Sequence, residues 1–144
     1  MISTENIDQA RKLIKNERRP IIIKAQNDEF NRRTLEHEKF DILLSPERGM
    51  RKDTIKQADS GLNEVLASIA ARKKISIGID IEEISTLTKK EKAERLSRIR
   101  QNISLCRKAK VSIKILFSKK VREAKSLLLT LGASTKQTKE AIDF

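Results

Sequence analysis

The chain has no tryptophan, no tyrosine and only four phenylalanines in 144 residues. A platform of exposed aromatics on which successive bases stack is therefore not expected. One cysteine, Cys106, excludes an internal disulfide framework and fits a reducing, cytoplasmic setting. With one histidine beside it, a His/Cys zinc site within the chain is not expected, nor can a Ser/His/Asp triad be assembled. Glycine is scarce, at four copies, and neither a Rossmann fingerprint nor a P-loop is present. No run reaches the ~18 apolar residues that span a bilayer, and no basic-then-apolar leader opens the chain. Neither a membrane span nor a targeting segment is expected.

What is present in excess is positive charge. The net charge is +12, and its distribution says more than its size. Residues 88–125 carry fourteen basic and three acidic groups, a net of +11, whereas residues 26–87 carry ten and twelve, a net of −2. Such a concentrated excess is the footprint of a polyanion binder. A solvated, lysine-rich helix is the plainer alternative. The length suits one domain, and a charged fraction of 36% beside 38% apolar residues is compatible with a folded core.

Apolar periodicity and capping residues set out a regular alternation. Ser3 or Thr4 is expected to cap a first helix with Ile7, Ala10, Leu13 and Ile14 inward. Pro20 stops it, and Ile21 to Ile23 reads as a buried strand. Asn27 or Asp28 caps a second helix, and Asp41 to Ser45 is a second strand. The Ser45-Pro46-Glu47-Arg48-Gly49 loop follows. Ser60 is expected to cap a third helix whose core face is Leu62, Val65, Leu66, Ile69 and Ala70, leading into a strand from Ile75 to Ile81.

After a connection at Ile84 to Thr88, a long helix from about Lys89 to Lys110 carries Ala93, Leu96, Ile99, Ile103, Cys106 and Ala109 as its stripe. Ser112 to Phe117 is a fourth strand. Ser118 caps a helix with Val121, Ala124, Leu128 and Leu131 inward, and Gly132 ends it. Ser134 caps a last helix reaching Ile142 and Phe144. Helices alternating with apolar strands imply an α/β fold with about four parallel strands. That is too few to close an eight-stranded barrel, so the sheet is open or a barrel fragment, and its edges call for a partner.

Functional groups of such folds gather past the carboxyl ends of the strands. Ser118, Lys119 and Lys120 there could cradle a phosphate, or be an ordinary cap beside solvated lysines. Asp80, Glu82 and Glu83, with Glu47 from a second strand end, could hold Mg²⁺ or act as acid and base. Acids in this position are more often a solvated edge. His37, in a polar stretch, is read as a surface residue, and Cys106 as a core thiol.

The basic candidates form three clusters: Arg48, Arg51 and Lys52 in a loop; Arg72, Lys73 and Lys74 at a turn; and Lys89 to Lys125 over a helix, strand and helix. On the long helix Arg95, Arg98, Arg100, Arg107 and Lys108 fall off the apolar stripe and are expected to point outward. The candidate phosphate contacts are Arg95, Arg98, Arg107, Lys119, Lys120 and Arg122, then Arg48, Arg51 and Lys52. Arg72 to Lys74 could touch RNA at the amino ends of the strands. Arginine's planar fork suits phosphate.

Three stretches together resemble archaeal ribonuclease P protein component 3, the counterpart of the eukaryotic thirty-kilodalton subunit. They are RPIIIKAQNDEFNRRTLEHEKFDILLSPERG, DSGLNEVLASIAARKKISIGIDIEE and RLSRIRQNISLCRKAKVSIKILFSKK. The most specific piece is D-S-G-L-N-x-V-L-A-x-x-A at Asp59 to Ala70, after S-P-E at Ser45 to Glu47; L-G-A-S at Leu131 to Ser134 completes it. The resemblance covers roughly residues 18–142 and makes residues 1–144 one component 3-like domain, with the family's N-terminal strand-helix section not represented.

The resemblance implies a TIM-barrel-like fold, here short and incomplete, and a non-catalytic subunit of the endoribonuclease that removes the 5′ leader from precursor tRNA. It implies that the ribonuclease P RNA cleaves with Mg²⁺, that the protein binds no cofactor or metal of its own, and that component 2 and other protein subunits are its neighbours, with precursor tRNA met indirectly. Two other readings stay open on the residues alone. One is a metal-dependent phosphoesterase using the strand-end acids with Lys119, although the histidines such sites need are missing. The other is a general RNA-binding scaffold.

Overall fold

The computed structural model describes residues 1–142, so the expected end of the last helix at Phe144 lies outside the described residues. Each helix except one starts where a short polar side chain holds a free amide. Helix α1 (Ile7–Asn16) is capped by Asn6, not by Ser3 or Thr4. Helix α2 (Asp28–His37) is capped by Asn27 as expected. Helix α3 (Glu64–Lys73) is capped by Asn63 rather than Ser60, which is buried in the turn before it. Asp80 caps a single turn, α4 (Ile81–Ser85), where a plain connection was expected. Thr88 caps α5 (Lys89–Ala109).

Helix α6 (Val121–Thr130) is the exception: Ser118 Oγ accepts only from the Lys120 amide, at 3.3 Å, so the helix has no side-chain cap. Helix α7 (Thr135–Glu140) opens on a full capping box of Ser134 and Gln137.

The strands are β1 (Ile22–Lys24), β2 (Ile42–Leu44), β3 (Ser76–Asp80) and β4 (Ile113–Leu116). All pair parallel, in the order β1-β2-β3-β4. Alternation along the strands separates two faces. Ile23, Leu43, Ile77, Ile79, Ile113 and Ile115 pack with residues of the helices into one large core. On the other face Ile42, Leu44 and Leu116, with Ile22 beside them, make a small second cluster. Gly78 belongs to that face, where a Cβ would come within 2.8 Å of the Ile42 side chain. Only glycine lets these strands approach so closely.

The apolar stripes hold at their centres and fail at their margins. On α3, Leu66, Ala67, Ile69 and Ala70 are buried, whereas Val65, expected in the core, is 68% exposed. Val121 and Leu13 point outward in the same way, and Ala93 is exposed at the solvent side of α5. Ile99, Ile103 and Cys106 are buried as expected. A stripe drawn from spacing alone is wider than the strip a neighbour covers.

Both sheet edges carry a short addition. The Ile2 amide donates to Ile22 O at 2.8 Å, and the Lys24 amide donates to Ile2 O at 2.9 Å. At the far edge the Ile115 amide donates to Ala141 O at 2.9 Å, and Lys114 Nζ donates to Glu140 O at 2.7 Å. The result is a short TIM-barrel-like α/β arrangement: four parallel strands and seven helices among the described residues, with the sheet not closed.

Candidate nucleic-acid interface

Burial sorts the basic residues into two populations, and the sorting begins in the segment between β2 and α3, residues 45–63. It forms no helix or strand, so its polar backbone must find partners elsewhere. Helix α5 supplies them. Arg98 Nε and Nη2 hold the Asp53 carboxylate at 3.0–3.2 Å, while Nη1 donates to Glu47 O at 3.2 Å and Gly49 O at 3.3 Å. Gln101 exchanges hydrogen bonds with the Ala58 backbone, donating to its oxygen at 2.8 Å and accepting from its amide at 3.0 Å. Asn102 Nδ2 donates to Ser60 O at 3.0 Å.

Arg51, inside the segment, donates to Pro46 O at 2.8 Å, to Asp59 at 2.9 Å and to Asp28 at 3.0 Å. Gly61, at φ +78°, lies so close that a Cβ would sit 2.0 Å from Pro46 O. The S-P-E and D-S-G-L-N fragments therefore meet in space. Their conspicuous sequence is the sequence of a clamp.

Arg95 completes this arrangement below the clamp. Its guanidinium lies 3.2 Å from Glu47 and 2.9 Å from Glu83, and Lys24 Nζ adds a longer contact to Glu83 at 3.8 Å. Glu47 is 1% exposed. Burial pushes its carboxyl above the ordinary range, and the Arg95 charge opposes that shift. Asp53 shifts the other way: hydrogen bonds from Arg98 hold it below the ordinary range against partial desolvation.

Three of the predicted phosphate contacts are thus corrected. Arg95 and Arg98 are buried, and the Arg51 side chain is 6% exposed, each spent on carboxylates and carbonyls of the chain itself. A signal for this was present in the sequence. Arg95 stands four residues before Ile99, and Arg98 four before Asn102, on the inward side of the helix.

Lys73 is similarly committed. Its ammonium donates to the carbonyls of Leu35 and Glu38, closing the end of α2, and burial lowers its pKa. Lys74 and Lys110, each in the left-handed conformation, end α3 and α5. Positive charge there complements the helix dipole. Arg107 donates to Gly132 O at 2.9 Å but stays exposed, and Lys108 pairs with Glu64 at 3.0 Å.

The second population has no ion pair among the described residues: Arg48, Lys52, Arg72, Lys74, Lys119, Lys120 and Arg122. The topology divides it. Arg72 and Lys74 precede β3 at the amino ends of the strands. Arg48 and Lys52 follow β2, and Lys119, Lys120 and Arg122 follow β4, at the carboxyl ends, where α5 also begins with Lys89 and Lys90. The carboxyl-end rim is the larger group. It is the candidate interface.

The acids at that end are occupied. Asp80 accepts from the Glu83 amide at 3.0 Å as the α4 cap, Glu83 is paired with Arg95, and only Glu82 is free to solvent. No group of three His, Cys, Asp or Glu side chains suited to a metal ion occurs among the described residues. His37 is exposed at the end of α2. Cys106 is buried, its pKa pushed up to about 12 by desolvation.

Fold and rim together define a class: an open, TIM-barrel-like α/β domain with unpaired cations along the carboxyl ends of its strands. Comparison with known proteins gives the class its relatives. The chain is 30% identical over 117 residues to ribonuclease P protein component 3 of Methanocaldococcus jannaschii, covering 79% of this chain and 47% of that protein. It is 28% identical over 102 residues to the component 3 of Methanococcus vannielii, covering 71% and 41% respectively. A chain in the cryo-EM structure of archaeal ribonuclease P with mature tRNA superposes with a TM-score of 0.78 at 27% identity, over 97% of this chain and 62% of that one. No family model matches. The chain is thus similar to ribonuclease P protein component 3 and spans about half the length of the curated relatives it matches.

Proposed function

We propose that this chain acts as a protein subunit of the ribonuclease P ribonucleoprotein, binding and stabilising its RNA for removal of the 5′ leader from precursor tRNA. The likeness over 97% of the chain to a chain of archaeal ribonuclease P with mature tRNA carries the reading. The unpaired rim of Arg48, Lys52, Lys119, Lys120 and Arg122 supports it, because cations that no internal carboxylate neutralises are available to phosphates. In this reading the RNA cleaves with its own Mg²⁺ and the protein supplies no catalytic group. Component 2 is its protein neighbour, precursor tRNA is met through the RNA, and the setting is cytoplasmic. No helix among the described residues is long and apolar enough to cross a membrane.

The phosphoesterase reading loses its ground, since Asp80, Glu83 and Glu47 are held as a helix cap and as partners of Arg95. Reconstitution of the ribonuclease P RNA with its other proteins, with and without this chain, is the test. Precursor tRNA cleavage at low Mg²⁺ is expected to rise when the chain is added. Unchanged cleavage sinks the proposal. Equal affinity for the ribonuclease P RNA and for bulk RNA at about 0.15 M salt would instead favour a general scaffold.

A further inference from the structure

Among the described residues there are three phenylalanines, and two of them, Phe30 and Phe40, are buried. Phe117 is 47% exposed, and its backbone sits at φ 59°, in the left-handed region. That conformation is uncommon for a bulky side chain and raises the energy of the fold. Glycine would suit the backbone better, and a polar residue would suit the solvent better. Neither core packing nor turn chemistry accounts for an aromatic here.

The position is informative. Phe117 directly follows β4, at the carboxyl end of the sheet, where folds of this kind place their ligand contacts. Lys119 and Lys120, two and three residues further on, are exposed and unpaired, as is Arg122. One aromatic face and a group of free cations thus share one short loop.

We infer that Phe117 is a stacking platform for a single unpaired base of bound RNA, with Lys119 and Lys120 taking the adjoining phosphates. The inference rests on the RNA-binding reading above and adds to it a mode of recognition: an unpaired nucleotide. A base inside an A-form helix offers no free face, whereas one in a loop, bulge or end does. Stacking on an aromatic ring tolerates any base, so the platform fixes a nucleotide's unpaired state without selecting its identity. The scarcity of aromatics excludes a long platform but not a single step. One exposed ring serves one base.

The lack of tryptophan and tyrosine gives a direct test. Phe117→Trp places a single emitter at the site. Leu13→Trp, at an exposed position of α1, is the control. Each full chain is titrated with an oligouridylate of about six nucleotides and with duplex RNA of matching charge. Unpaired RNA is expected to quench the Phe117→Trp emission and leave the Leu13→Trp emission unchanged.

Phe117→Gly is expected to weaken binding of the unpaired RNA between about fivefold and a hundredfold. Duplex binding should be unchanged and Tm should not fall, because glycine accepts the left-handed backbone. Equal binding of unpaired RNA by the native and Phe117→Gly chains overturns the platform while leaving the subunit reading standing. A native chain that binds neither RNA overturns both. An emission change produced by component 2 and not by RNA assigns Phe117 to a protein contact and also overturns the platform.

Discussion

Arg95 and Lys119 carry the same charge and do opposite work. Arg95 neutralises Glu47 in the interior, so removing it strands a buried carboxylate. Arg95→Leu is expected to cost about 3–5 kcal/mol in urea unfolding, and Arg95→Leu combined with Glu47→Leu should recover most of that loss. Lys119→Ala, Lys120→Ala and Arg122→Ala touch no internal partner. Each should change stability by less than about 0.5 kcal/mol. Each should also lower the salt slope of RNA binding by about one, read from titrations at several salt concentrations. The sequence displayed all five of these charges but not their direction. The number of basic residues was legible, and so was the rim at Lys119 and Lys120. The burial of Arg95 and Arg98 showed only in their helical phase, and that of Arg51 not at all, because their partners are carboxylates 8 to 48 positions away that the fold brings near.

At the scale of elements, the segment 45–63 behaves as a loop turned inside out, held by side chains where a helix would be held by its backbone. Asp53 is one of its fastenings. Its carboxyl is held below the ordinary value of 3.8, so its contribution is intact above that pH and is lost as pH falls through the lowered folded value. Amide exchange across residues 50–59, corrected for intrinsic rates, should accelerate in that acid window before the strands do. In Asp53→Asn the segment should already exchange faster at neutral pH. Gly61→Ala tests the other end, since φ +78° and a contact of 2.0 Å to Pro46 O leave no space for a methyl group. A lower midpoint in urea is expected. Helix and strand positions were readable from apolar spacing, and the caps at Asn27 and Ser134 from local chemistry. Asn63 was passed over for Ser60 because both precede the apolar run, and only the clamp decides which of them is free to cap.

For the whole molecule, Cys106 reports on the integrity of the core. It is buried, and desolvation raises its pKa to about 12, so the reactive thiolate is suppressed in the folded state. Labelling by a thiol reagent at pH 8 is expected to be negligible in buffer and to rise with urea along the same curve as the loss of helical signal. Early labelling would show that α5 can lift from the sheet without global unfolding. The α/β class and the strand number were legible at this scale because alternation is a local property repeated along the chain. The unclosed sheet followed from that same strand count; its two edge additions were not legible, since Ile2 and Ala141 carry no strand pattern of their own.

The strand order has a consequence for how the molecule comes into being. Each strand lies beside the one made just before it, so no later strand has to be threaded between two earlier ones. A chain emerging from the ribosome can lay down its sheet in the order of synthesis. Each arriving helix covers strands already placed, and the growing edge waits for the next strand.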